Sequence, residues 1–122
     1  MTREDFMQRV QEGDKWEYKG LTLLVIHNDF GIPKDTPYTF SRLLLEGNWH
    51  GYVLTDIYIP DEQIHDIDVH GGITLADYGT PNLYGFDTAH ADDFDNLKSK
   101  EWVMKETQRF ADNILQWKAT NP

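Results

Sequence analysis

Ser99-Lys100-Glu101-Trp102-Val103-Met104-Lys105-Glu106-Thr107-Gln108-Arg109-Phe110-Ala111-Asp112-Asn113-Ile114-Leu115-Gln116-Trp117-Lys118-Ala119-Thr120 carries the clearest structural signal in the chain. From Trp102 onward, Val103, Thr107, Phe110, Ala111, Ile114 and Trp117 recur at helical spacing and share one face. Lys100, Lys105, Glu106, Arg109 and Asp112 fall at the other positions. Ser99 supplies an N-cap, and the helix is expected to end before Asn121-Pro122.

Everything between this helix and the N-terminus reads mainly as strands. Leu21 to His27 is a β-rich apolar run, the pattern of a strand buried on both faces. Lys15 to Tyr18 alternates before it, and Lys19-Gly20 turns the chain between the two. Asn28 to Pro37 holds Asp, Gly and two prolines and reads as a loop. Thr39 to Leu45 and His50 to Ile59 read as strands around a Glu46-Gly47-Asn48 hairpin turn. Pro60 to Asp66 is polar and irregular. Val69 to Leu75 and Leu83 to Phe86 read as short strands, and Asp92 to Ser99 as open chain.

At the start, Thr2 caps a first helix with Asp5 in a capping-box position. Phe6, Met7 and Val10 form its apolar stripe, and Gly13 ends it. The expected fold is therefore α+β. An antiparallel sheet of five or six strands carries an N-terminal and a long C-terminal helix on one face. The 122 residues suit a single domain spanning 1–122.

Composition excludes several chemistries. With no cysteine, a disulfide scaffold, a thiol nucleophile, a zinc ribbon and an iron–sulfur site are all ruled out. No apolar run reaches the ~18 residues that suggest a transmembrane helix. The charged start Met1-Thr2-Arg3-Glu4-Asp5 is unlike a secretory signal, so a soluble cytoplasmic protein is expected. A net charge of −10 argues against direct binding to nucleic-acid phosphates or to anionic membranes.

That charge is unevenly placed. Between Arg42 and Lys98 no Lys or Arg occurs, while the same stretch holds Glu46, Asp56, Asp61, Glu62, Asp66, Asp68, Asp77, Asp87, Asp92, Asp93 and Asp95. His50, His65, His70 and His90 lie there too. Solvent, cations brought in by folding, a bound metal or a basic partner must neutralise these acids.

Two segments concentrate the chemistry. In Asp66-Ile67-Asp68-Val69-His70-Gly71-Gly72, alternation puts Asp66, Asp68 and His70 on one side of an extended backbone. In Gly85-Phe86-Asp87-Thr88-Ala89-His90-Ala91-Asp92-Asp93, a helical turn would put Asp87, His90 and Asp93 on one face. Neighbouring strand ends would bring the two together. His70, Asp87, His90 and Asp93 then form a ligand set for a divalent metal, and Asp68 is the candidate catalytic base. The same residues also suit structural work, with aspartates capping turns and His70 bonding a carbonyl.

Asp66, Asp68, His70, Gly71 and Asp77 nearly meet a calcium-loop pattern, but His is a poor calcium ligand and Asp77 replaces a long glutamate. Trp49 and His50 are candidate ligand-binding residues that could stack on a planar group, although packing of Trp49 and Tyr52 at a sheet edge explains the same pattern. Ser41 and Ser99 sit in no nucleophile elbow, and no Walker loop or dinucleotide fingerprint occurs.

Asn48-Trp49-His50-Gly51-Tyr52-Val53, Asp68-Val69-His70-Gly71-Gly72-Ile73-Thr74 and Gly85-Phe86-Asp87-Thr88-Ala89-His90-Ala91-Asp92 carry a resemblance. Together they resemble a group of small uncharacterised proteins encoded by phages, prophages and their bacterial hosts. The resemblance spans roughly residues 43 to 95. It implies an accessory role in a phage or mobile element and carries no activity with it.

Two functional expectations follow from different classes. One is a small metal-dependent hydrolase built on the His/Asp residues. The other is a non-catalytic acidic inhibitor or adaptor that occupies a basic surface of a host protein. Exposed strand edges also allow a homodimer.

Overall fold

The structure is a computed structural model that describes residues 14–27, 49–88 and 97–121. Strand β1, Asp14–Tyr18, pairs antiparallel with β2, Leu21–His27. Lys19 and Gly20 both take positive φ between them, as a two-residue hairpin loop demands. Strand β3, Trp49–Thr55, pairs with the other edge of β2. Beyond β3 lies β5, Asn82–Phe86, and next to it β4, Leu75–Asp77. Among the described residues five strands stand in the order β1-β2-β3-β5-β4, and every neighbouring pair is antiparallel. Helix α1, Lys100–Thr120, packs across β2 and β3. The α+β class with an antiparallel sheet is thus established. The expected N-terminal helix, the strand over 39–45 and the turn at 46–48 lie outside the described residues.

Alternation along the strands divides the sheet into two apolar faces. Leu21, Leu23 and Val25 of β2, Val53 of β3, and Tyr84 and Phe86 of β5 meet Val103, Phe110, Ala111 and Ile114 of α1. The opposite face buries Leu24, Ile26, Tyr52 and Leu83. β2 is therefore buried on both sides, as its continuous apolar run requires.

Close approach of helix to sheet depends on Gly51. A Cβ there would collide with Thr107 Oγ1 and the Phe86 ring. Thr107 in turn donates its hydroxyl to Val103 O at 2.6 Å, so it needs no partner from the sheet.

The segment between β3 and β4 closes one end of the core. It contains a 3₁₀ helix, Asp61–Asp66, where the sequence reads as irregular. Ile59, Ile67, Val69 and Ile73 from this segment are all buried. Tyr84 Oη fastens it to the sheet by donating to Ile57 O at 2.9 Å and accepting from Ile59 N at 2.8 Å.

At the far edge, Tyr18 Oη bonds Asp112 at 3.0 Å and Lys19 Nζ pairs with the same carboxylate at 2.9 Å. The Lys19 bond holds the Asp112 carboxyl below its ordinary range. Asp14 pairs with Lys100, so β1 is tied to the start and to the middle of the helix.

Candidate functional site

Val69 to Leu75 reads as a strand in the sequence, yet only Leu75–Asp77 joins the sheet. Gly71 and Gly72 have φ of 71° and 82°, and Gly72 N donates to Val69 O at 2.9 Å. Two successive left-handed residues bend the chain out of the ladder. Before that bend the expected alternation holds: Ile67 and Val69 point inward while Asp68 faces solvent.

Asp68 is held by the helix. Its Oδ2 accepts from Arg109 Nη1 at 2.7 Å, and its backbone oxygen accepts from Asn113 Nδ2 at 2.8 Å. Arg109 also forks onto Glu106, with Nε 2.8 Å from Oε1 and Nη2 2.6 Å from Oε2. Glu106 is only 8% exposed, and its Oε2 takes a further bond from His70 N at 2.8 Å. The bonds from Glu106, then those from Asp68, push the Arg109 guanidinium above its ordinary pKa. A buried carboxylate, a guanidinium and a backbone N–H therefore pin residues 68–70 to α1.

His70 turns its ring edge-on to Trp102, with centroids 5.1 Å apart at 81°. Lys98 Nζ lies 5.1 Å from the centroid of the same indole. Trp49, at the start of β3, has a similar environment: His27 is 4.9 Å away, ring to ring, and Lys100 Nζ stands 5.8 Å from its centroid. Thr88, fully buried just after β5, donates Oγ1 to Trp49 O at 2.9 Å. Asp87, half-buried, thus sits where β5 leaves the sheet beside the start of β3.

The two candidate ligand-binding residues, Trp49 and His50, turn to opposite faces of the sheet. Trp49 packs toward the helix side, whereas Tyr52 belongs to the opposite face and His50 Nδ1 contacts Tyr52 Oη at 3.2 Å. β3 lies between β2 and β5, so Trp49 and Tyr52 do not pack on an edge strand. His90 and Asp93 lie outside the described residues. Among the described residues, no group of three or more His, Asp or Glu side chains gathers as a metal ion would require.

What the acids do form is a solvent-facing run. Asp56, Asp61, Glu62, Asp66 and Asp68 are all exposed along the segment after β3. Among the described residues, Asp68 alone of these five makes an ion pair. The Glu106–Arg109 pair, whose guanidinium also holds Asp68, escapes sequence reading. Its only signal is a Glu and an Arg three apart on the predicted helix, a spacing common on solvated faces.

No family model matches the chain, and neither the curated proteins nor the solved structures contain a match to it. Among the described residues, no helix is long and apolar enough to cross a membrane.

Proposed function

We propose that the protein is a non-catalytic acidic binding protein that occupies a basic surface of a partner protein. Its setting is the phage or prophage accessory role implied by the sequence resemblance. One observation carries this reading: the acids from Asp56 to Asp68 are spread over an exposed surface and, except for Asp68, are not ion-paired among the described residues. Unneutralised carboxylates on a surface steer a basic partner and discriminate against acidic ones.

The metal-dependent hydrolase is the competing reading. It turns on convergence of His70, Asp87, His90 and Asp93, with Asp68 free to take a proton. Arg109 bonds the Asp68 carboxylate, which supports a structural duty for that side chain over a basic one.

Capture on immobilised protein tests the proposal. Basic proteins from a bacterial extract should bind at low salt and be released stepwise as salt rises, because screening shortens the reach of surface charge. Retention of an unselective background that does not respond to salt would end the reading.

A further inference from the structure

The chain leaves β3 at Thr55, whose Oγ1 accepts the Ile57 N–H at 3.1 Å, and passes the C-terminal end of α1. An open groove of about 760 Å³ lies there, with Asp56, Tyr58, Pro60, Trp117 and Lys118 in its lining. Tyr58 is 59% exposed. Its ring rests against Tyr78 with centroids 5.1 Å apart at 49°. Tyr78 is itself anchored, its hydroxyl 2.6 Å from Ile59 O and 2.8 Å from Asp61 Oδ1. One aromatic face is therefore supported from behind and left open in front.

Three features give the groove a preference for cations. Asp56 lines it, and Asp61 and Glu62 follow on the adjoining 3₁₀ turn, all exposed. Helix α1 ends at Thr120, so the negative end of the helix dipole lies at this site, weakened where Thr120 and Asn121 cap the Gln116, Trp117 and Lys118 carbonyls. The π-faces of Tyr58 and Trp117 attract a cation that has shed part of its water. Among the described lining residues Lys118 offsets Asp56, so the acidic surplus around the groove comes from Asp61 and Glu62, and the Lys118 charge sits on a long, solvated stem that can swing aside. An open, aromatic-walled groove suits a chain that runs through it better than a small molecule needing enclosure.

We propose that this groove is the docking site for an extended, lysine- or arginine-bearing segment of a partner protein. The cationic side chain lies over Tyr58 and Trp117, within the field of Asp56. This proposal rests on the acidic-binding reading above and names where the partner enters.

Fluorescein-labelled hexaarginine, followed by anisotropy at low salt, is a suitable probe. It is titrated against the wild type, Tyr58→Phe, Tyr58→Ala and Asp56→Asn. A control variant combines Glu17→Gln with Glu101→Gln, two exposed acids outside the groove. Thermal melts confirm that each variant is folded, and Asp56→Asn carries the test if Tyr58→Ala melts early.

Tyr58→Ala and Asp56→Asn should each weaken binding about threefold to tenfold, while Tyr58→Phe and the control stay within about twofold. Wild-type affinity in the groove variants, or an equal loss in the control, would overturn the groove and leave a diffuse acidic surface as the binding element. Failure of wild-type protein to bind hexaarginine at all would overturn the groove and the acidic-binding reading together.

Discussion

Glu106 is a carboxylate in the wall of the core, and its tolerance there depends on Arg109 and on the His70 amide. Arg109→Ala strands that charge. The expected cost is about 1–3 kcal/mol in urea unfolding, because a buried acceptor loses its partner. Asp68→Asn should cost under about 1 kcal/mol, since the Asp68 side chain is 80% exposed and surface pairs contribute little. A cost for Asp68→Asn matching that of Arg109→Ala would show that Asp68, and not Glu106, anchors the loop. Tyr78 gives a second prediction at this scale. Burial, then its bond to Asp61, raises the pKa of its phenol, and burial raises that of Tyr84 as well. Both favour the neutral form in the folded state. A raised folded-state pKa contributes stability that is complete below the unfolded value of about 10 and is lost as pH rises through the folded value. Stability measured by denaturant at stepped pH should therefore fall above about pH 10. Tyr78→Phe should flatten that fall while costing about 1 kcal/mol at neutral pH through the lost bond to Ile59 O. An unchanged alkaline slope in Tyr78→Phe would remove Tyr78 as the titrating group.

Helix α1 was the element most legible in the sequence, and its boundaries show why. Ser99 Oγ accepts the Trp102 N–H at 3.1 Å, and the helix ends at Thr120 just before Asn121. Cap chemistry and periodicity both reside in consecutive residues, so sequence alone carries them. Ser99→Ala should lower stability by about 1 kcal/mol, read as a shift in denaturation midpoint. β2 was equally legible, because burial on both faces leaves a continuous apolar run. The sequence pattern carries β3 on to Ile59, four residues past the point where the strand stops at Thr55. Ile57 and Ile59 continue the alternation, but they bury against the end of the core after Thr55 Oγ1 has captured the Ile57 amide. Val69 to Thr74 alternates in the same way outside the ladder: alternation reports which side is buried and says nothing of a neighbouring strand. Gly51 illustrates what sequence cannot express. Within Trp49-His50-Gly51-Tyr52 it looks like a weak strand residue, yet it is the contact point for Thr107 and Phe86. Gly51→Ala should cost about 1–3 kcal/mol through overpacking at the helix–sheet interface. A neutral result in thermal and urea unfolding would mean that α1 can lift from the sheet at no cost.

For the molecule as a whole, the net charge of −10 sets the terms of any function. Folding neutralises part of the acidic surplus with cations from the flanks, since Lys19 reaches Asp112, Lys100 reaches Asp14 and Arg109 reaches Asp68 and Glu106. Of these, only the Arg109 contact to Asp68 reaches into the stretch that lacks Lys and Arg. The candidate metal residues were legible as a type but not as a place, because convergence of His70 with Asp87, His90 and Asp93 is a tertiary property that spacing does not encode. Two outcomes separate a metal centre from a binding surface. Elemental mass spectrometry on tag-free protein should find no stoichiometric metal if the acids serve a partner. Chelator should then leave the melting temperature unchanged, since a ligand bound only to the native state must raise it. Near-stoichiometric zinc or manganese with a chelator-dependent fall would instead assemble the His/Asp set around an ion. In that event His70→Ala should abolish the metal while the protein stays folded, because the His70 contact to Glu106 runs through its backbone amide and survives the substitution.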